Sequence, residues 1–349
     1  MQALALHTFH ERNSARFATY QNREMVRDYG DGRAEYAAAR DHAALFDFSY
    51  RETLRVSGAD RVSFLQGMLT NDVASIPVNG STYAVLLTPK GAMVADARVL
   101  KRSDDLLLEV EPGLGAVVQA TLQRYVVSEE VEISDASSDF GLLAVAGPES
   151  GALIAAALPP FEGAIAQLPE GTLWRVPEEP MGPTWQRLIV PAEIRLQVTE
   201  RLDSDLPAGS QWAGFDAYEV LRVEAGMPRY GIDCDEHTIP LEANLQRAIS
   251  YDKGCYIGQE VIARTTYRGH VNRKLCGVTL DAGLPPPCAE LSSNGKVVGS
   301  ITSAVHSPSL HQAIALAYVH RESSAPGTRL NVAGYAGAAL VHPLPFVGS

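Results

Sequence analysis

From Glu52 to Val56 apolar and polar positions alternate, which predicts a strand, and Ser57-Gly58-Ala59-Asp60 is then a capping-box-like start for a helix carrying Val62, Phe64, Leu65 and Leu69. Before it, residues 33–45 are rich in Ala, Glu and Arg and read as a helix. Thr82 to Leu87 and Ala92 to Leu100 read as strands joined by the turn Thr88-Pro89-Lys90-Gly91, and Leu106 to Val110 as a third strand after Ser103-Asp104-Asp105, an antiparallel meander. Leu114 to Tyr125 predicts a helix, Leu142 to Ala146 a short buried strand, and Gly147-Pro148 opens a helix running to Leu158. Helices and strands are mixed rather than regularly alternating, which favours an α+β layered domain over a doubly wound parallel sheet.

Residues 158–183, rich in Pro, Gly and Glu, read as a surface connection. A strand at Gln186 to Val190, a helix at Glu193 to Leu202, a linker at Asp203 to Gln211 and a helix at Phe215 to Ala225 follow. Beyond His270 the pattern changes to short strands, Lys274 to Leu280, Lys296 to Ala304 and Ala313 to Val319, separated by turn signals. Asn294-Gly295 between apolar runs is a strong hairpin signal. The expected organisation is an α+β domain over 1–265, with room for two subdomains, and a small β-barrel or jelly-roll-like domain over 270–349.

A length of 349 residues agrees with two domains, and the hydrophobic fraction of 46% exceeds what a disordered chain would carry. With 29 Lys+Arg against 41 Asp+Glu, the net charge of −12 argues against a protein that covers nucleic acid or an anionic membrane. An anionic small ligand would need a local basic patch, for which Arg264, Arg268, Arg273 and Lys274 are candidates; the same cluster also reads as a solvated face. Cys234, Cys255, Cys276 and Cys288 contain no Cys-x-x-Cys pair, so spacing indicates no metal ligand set. His10, Glu11 and Arg12 stand where an apolar signal core would be, and no stretch reaches the ~20 apolar residues of a membrane span. A cytoplasmic monomer with reduced thiols is expected.

Three places carry candidate chemistry. Lys253-Gly254-Cys255-Tyr256-Ile257-Gly258-Gln259-Glu260 places one thiol beside a cation and ahead of an expected helix, where a reactive thiolate would be built; a small buried cysteine in a Gly-punctuated loop is the alternative, and Gln259 and Glu260 serve equally as helix caps. Glu224 falls on the apolar stripe of Ala217, Val220 and Leu221 and near a helix C-terminus, where the macrodipole disfavours an anion. It needs a partner: either Arg222 or Arg229, or a ligand presenting two parallel N–H donors to one carboxylate. Asp96 is a lone acid in a strand, by default an exposed polar position, and Tyr83 on the preceding strand is by default a packing residue.

The Cys255 run continues through Glu260-Val261-Ile262-Ala263-Arg264 and Gly269-His270-Val271-Asn272-Arg273-Lys274, and read whole it resembles the YgfZ family, relatives of the glycine cleavage system T protein. Leu221-Arg222-Val223-Glu224-Ala225-Gly226-Met227 and Pro240-Leu241-Glu242-Ala243 resemble the folate-binding part of both groups; Leu45-Phe46-Asp47-Phe48-Ser49, Phe64-Leu65-Gln66 and Thr70-Asn71-Asp72-Val73 resemble their shared N-terminal part. The resemblance implies tetrahydrofolate as cofactor, a T-protein-like folate-binding domain with a C-terminal barrel, and Glu224 as reader of the pterin. Tyr83, Lys253 and Arg264 are further folate-binding candidates, and Cys255 and Asp96 the catalytic candidates. Asp96 matches the second acid of a Gly-Gly-x-x-Asp-Asp-type segment in the T protein; Ala95 replaces the first acid and Ala92 the second glycine. For the YgfZ type the implied role is iron–sulfur cluster assembly or repair, including enzymes that methylthiolate tRNA, with iron–sulfur enzymes or assembly proteins as partners. The alternatives are a folate-dependent aminomethyltransferase, in which Asp96 assists attack of a folate nitrogen on an aminomethyl group carried by a lipoyl protein, and a non-catalytic folate-sensing scaffold.

Overall fold

The computed structural model describes every residue except 178–180, 182–183 and 349. The chain forms two compact units, Met1–Ala84 with Asp96–Tyr218, and Val85–Ala95 with Glu219–Ser349.

In the first unit a six-stranded sheet runs in the order Ile165–Leu168, Gly171–Pro177, Gln186–Pro191, Phe140–Ala146, Ala44–Asp47, Gln211–Trp212. Its last pair is parallel and the others are antiparallel. The apolar run Phe140–Ala146 is buried at every position because it is an interior strand covered on both faces. Leu153, Ile154 and Ala157 of helix Ser150–Ala157, and Val198 and Leu202 of helix Arg195–Ser204, come from helical i, i+4 stripes and pack with Leu143, Val145, Leu188 and Val190. Each such aliphatic side chain contributes about 1.5–3 kcal/mol by burial.

Three expectations are corrected here. The helix read over 33–45 spans Gly32–Asp41, capped by Asp31, whose carboxylate accepts from the N–H groups of Arg33 and Ala34 at 3.1 and 3.0 Å. Ala44 and Leu45 belong instead to a strand buried along its whole length and paired with Phe140–Ala146, where sheet burial overrides the helical preference of alanine. The connection read over 158–183 contains the hairpin Ile165–Leu168 and Gly171–Pro177, whose Gly and Pro mark its ends. The end of that stretch lies outside the described residues. The helix expected to start from a capping box at Ser57 starts later, at Arg61: Ser57 ends the strand Glu52–Ser57, and Asp60 at the N-cap position makes no side-chain cap, its Oδ2 accepting from the Glu130 N–H at 2.9 Å.

A five-stranded sheet has the order Ser81–Leu87, Met93–Lys101, Asp105–Val110, Glu52–Ser57, Glu132–Asp135, and contains the expected meander. The turn between its first two strands falls in the second unit. Gly91 there has φ +77°, and a Cβ on it would stand 2.7 Å from Val261 Cβ. Gly258, the N-cap of helix Gln259–Arg268, has φ +82°, and a Cβ on it would stand 2.7 Å from the Thr88 carbonyl oxygen. Only glycine allows this turn and this helix start to approach so closely.

The second unit also holds a closed six-stranded barrel in the order Arg273–Leu280, Gln312–His320, Lys296–Ser307, Glu290–Ser293, Arg329–Val332, Ala338–His342. Val278, Leu291, Ile301, Ala315, Ala317, Leu330 and Val341 fill it. Asn294 and Gly295 both take positive φ, 50° and 76°, between paired Ser293 and Lys296, the left-handed two-residue turn that the Asn-Gly pair predicts. The first strand of the barrel begins at Arg273.

Candidate functional site

In the first unit, neighbouring strands bring Tyr83 and Asp96 together. Tyr83 Oη donates to Asp96 Oδ2 at 2.6 Å, and the Asn71 side-chain amide donates to the Tyr83 carbonyl at 2.8 Å. Asp96 is only 8% exposed, not the surface position that strand propensity suggests. Its Oδ1 is buried and, among the described residues, accepts no hydrogen bond. A buried acceptor left in that state costs about 1–3 kcal/mol, so the geometry favours a ligand that brings an N–H or O–H donor.

Arg98, two residues along from Asp96, holds its guanidinium 5.9 Å from the Tyr83 ring centroid and belongs to a buried ionic network. Glu109 Oε1 meets Arg51 Nε at 2.5 Å, Arg187 at 3.1 Å and Arg98 at 3.5 Å, while Arg51 also pairs with Glu111. Burial would push the Glu109 carboxyl up, but Arg187, Arg51 and Arg98 outweigh it and hold it down to about 2. Burial, and then the charge of Arg187, push Arg98 below the usual guanidinium range, against the opposite pull of Glu109. Sequence reasoning missed this network. The available signal was a charge inside each apolar run, Glu109 in Leu106–Val110 and Arg98 in Ala97–Leu100.

In the second unit Glu224 is the last residue of helix Phe215–Glu224 and is fully buried. Its Oε1 accepts from Ser307 Oγ at 2.5 Å. Arg222 engages Asp233 at 2.7 Å, Ser303 at 2.7 Å, and Glu219. Ser307 was not foreseen: 83 residues separate it from Glu224, and nothing local distinguishes it from other strand-end serines.

Cys255 is exposed on the segment leading to Gly258 and helix Gln259–Arg268. Lys253 is buried, with its ammonium 5.2 Å from the Tyr256 ring centroid. Of the basic cluster, Arg264 is exposed and paired with the exposed Glu260 at 2.6 Å, a surface i, i+4 pair worth a few tenths of a kcal/mol, and Arg273 pairs with Glu242 at 3.2 Å. The Arg268 side chain lies outside the described residues.

Models of two domains match the chain, the GCVT N-terminal domain over residues 6–173 and the glycine cleavage T-protein C-terminal barrel domain over residues 273–347. The aminomethyltransferase of Rubrobacter xylanophilus is 31% identical over 352 residues, covering 98% of this chain and 93% of that protein. This chain belongs to the glycine cleavage T-protein family. The aminomethyltransferase of Saccharopolyspora erythraea is 29% identical over 355 residues, covering 98% of this chain and 96% of that protein. The crystal structure of the glycine cleavage system aminomethyltransferase T from Bartonella henselae matches with a TM-score of 0.88 at 26% identity, over 99% of this chain and 98% of that one.

The α+β fold with a C-terminal barrel is that of the family, and tetrahydrofolate is the family's cofactor. The iron–sulfur assembly reading is corrected: relatives matching nearly end to end are aminomethyltransferases, as is the solved structure, and none of these findings supports the YgfZ branch or iron–sulfur partners. The residues fit a folate in one respect that geometry alone supplies, since among the described residues Asp96 Oδ1 is a buried acceptor without a donor. Among the described residues no helix is long and apolar enough to cross a membrane.

Proposed function

We propose that this chain is a folate-dependent aminomethyltransferase. The observation that carries the reading is the Asp96 carboxylate, buried, oriented through one oxygen by Tyr83 and lacking a donor at the other. When bound, tetrahydrofolate would supply two N–H nitrogens to take up the aminomethyl carbon as its C–S bond to the carrier and its C–N bond break, the two protons leaving with the freed thiol and ammonia. Asp96 Oδ1 would accept an N–H of the bound folate and hold or take its proton, with the other carboxylate oxygen held by the Tyr83 hydroxyl. Within the second unit, the Glu224 carboxylate has the chemistry to accept two paired N–H donors such as those of a pterin edge. The full length over which aminomethyltransferases match supports the same reading.

The test is ammonia release from an aminomethyl-loaded lipoyl carrier with tetrahydrofolate. The parent should turn over, and Asp96→Asn should lose ~10²-fold or more in rate while still binding folate, the scale of a positioned acid–base group. A folded parent that binds folate but releases no ammonia would sink the proposal.

A further inference from the structure

We infer that Ser307 is a positioning residue for folate recognition, acting through Glu224; the inference rests on the reading of Glu224 as the pterin acceptor. Ser307 closes strand Lys296–Ser307 and, like Glu224, is fully buried. Its hydroxyl oxygen accepts from the Leu310 N–H at 3.1 Å, and its single proton points to Glu224 Oε1 at 2.5 Å. A hydroxyl has one proton and can otherwise rotate freely. Here the N–H of Leu310 sets the oxygen's lone pair, so the proton is aimed by the backbone of the chain turn rather than by chance. Leu310 is itself packed against the cluster of Val223, Ile314, Leu316 and Phe346, which anchors the donor.

The consequence is a carboxylate with one oxygen held by a hydroxyl that the backbone aims. The Glu224 side chain has three rotatable bonds, and reading two parallel N–H groups on a flat ring requires its plane to be fixed before the ring arrives. The backbone carbonyl of Glu224 is also tied down, accepting from the Phe346 N–H at 2.8 Å. Ser307 adds the constraint at the far end of the side chain. Its partner class is thus the 2-amino-4-oxo edge of a reduced pterin, presented to a carboxylate whose orientation the serine sets.

A double-mutant cycle on tetrahydrofolate binding tests this, using the full chain, Ser307→Ala, Glu224→Gln and the double variant, with Kd from calorimetric titration and KM and kcat from turnover. Ser307→Ala is expected to raise Kd and KM ~10-fold in the parent, the scale of a lost hydrogen bond to a charged group, and less than about 2-fold in the Glu224→Gln background, with kcat at saturating folate preserved. Ser307→Thr, which keeps the hydroxyl, should stay within about 3-fold of the parent and provides the folded control. If Glu224→Gln weakens binding and Ser307→Ala does not, or Ser307→Ala weakens it equally in both backgrounds, the positioning role is wrong while the reading of Glu224 stands. If Glu224→Gln leaves Kd unchanged, the reading of Glu224 itself fails and takes this inference with it.

Discussion

Replacing Glu109 by Gln should unsettle the first unit far more than an isosteric change on a surface would. Glu109 is 3% exposed and meets three guanidiniums, with Glu111 the other carboxylate in the network. Its carboxyl is held down to about 2 from an ordinary 4.5, which at ~1.4 kcal/mol per pH unit makes its ionised form worth about 3 kcal/mol at neutral pH. Removing one partner from a buried ion pair costs a similar ~3–5 kcal/mol, because the remaining charges stay buried. Since the folded value lies below the unfolded one, this stability is fully present above pH 4.5 and is lost as pH falls toward 2.

All three tryptophans, Trp174, Trp185 and Trp212, lie in the same unit as Glu109, so tryptophan fluorescence during urea unfolding reports on the affected unit. With a urea slope of ~1–3 kcal/mol per molar, Glu109→Gln should lower the midpoint by about 1–3 M at pH 7. The gap between parent and variant should narrow as pH drops below 4.5. A midpoint within about 0.3 M of the parent at pH 7 would refute the reasoning, because it corresponds to less than about 1 kcal/mol.

Tyr83→Phe removes the hydroxyl that orients Asp96; turnover should drop ~10-fold or more with little change in urea midpoint, and steady-state rates within about 2-fold of the parent would dismiss that role. Gly258→Ala places a Cβ 2.7 Å from the Thr88 carbonyl at φ +82°, and calorimetry should register a loss of ~1–3 kcal/mol; an unchanged transition would mean the turn relaxes freely. Cys255→Ser tests whether the exposed thiol enters the reaction. The proposed chemistry uses no thiol, so ammonia release should be preserved, and its loss would require a step at sulfur.

Much of the fold was legible because periodicity reports burial directly. The meander over 82–110, the helices at Leu114 and Gly147, and the Asn294-Gly295 hairpin follow from alternation, turn residues and caps. What failed did so where local preference and tertiary burial disagree. Ala43-Ala44-Leu45 carries no local mark to separate a helix end from a buried strand, and only pairing with Phe140–Ala146 decides it. In the same way the Pro- and Gly-rich stretch after Leu158 hides a hairpin whose strand character comes from its neighbour Gln186–Pro191.

The site divides along a similar line. Glu224 was visible because its charge clashed with its place on an apolar stripe, whereas Asp96, read by position as an exposed polar residue, was picked out by the resemblance. Tyr83 was named through the resemblance but its bond to Asp96 on the neighbouring strand was not, and Ser307 reaches Glu224 across 83 residues. The Cys255 segment shows the opposite hazard, a conspicuous local motif that resembles one branch only. A short run can resemble one branch while likeness over 98% of the chain points to another, and the longer likeness constrains the folded pocket as well as the loop. The proposed transfer needs a carboxylate that is buried, oriented and, among the described residues, left with an unfilled acceptor, and Asp96 meets all three conditions.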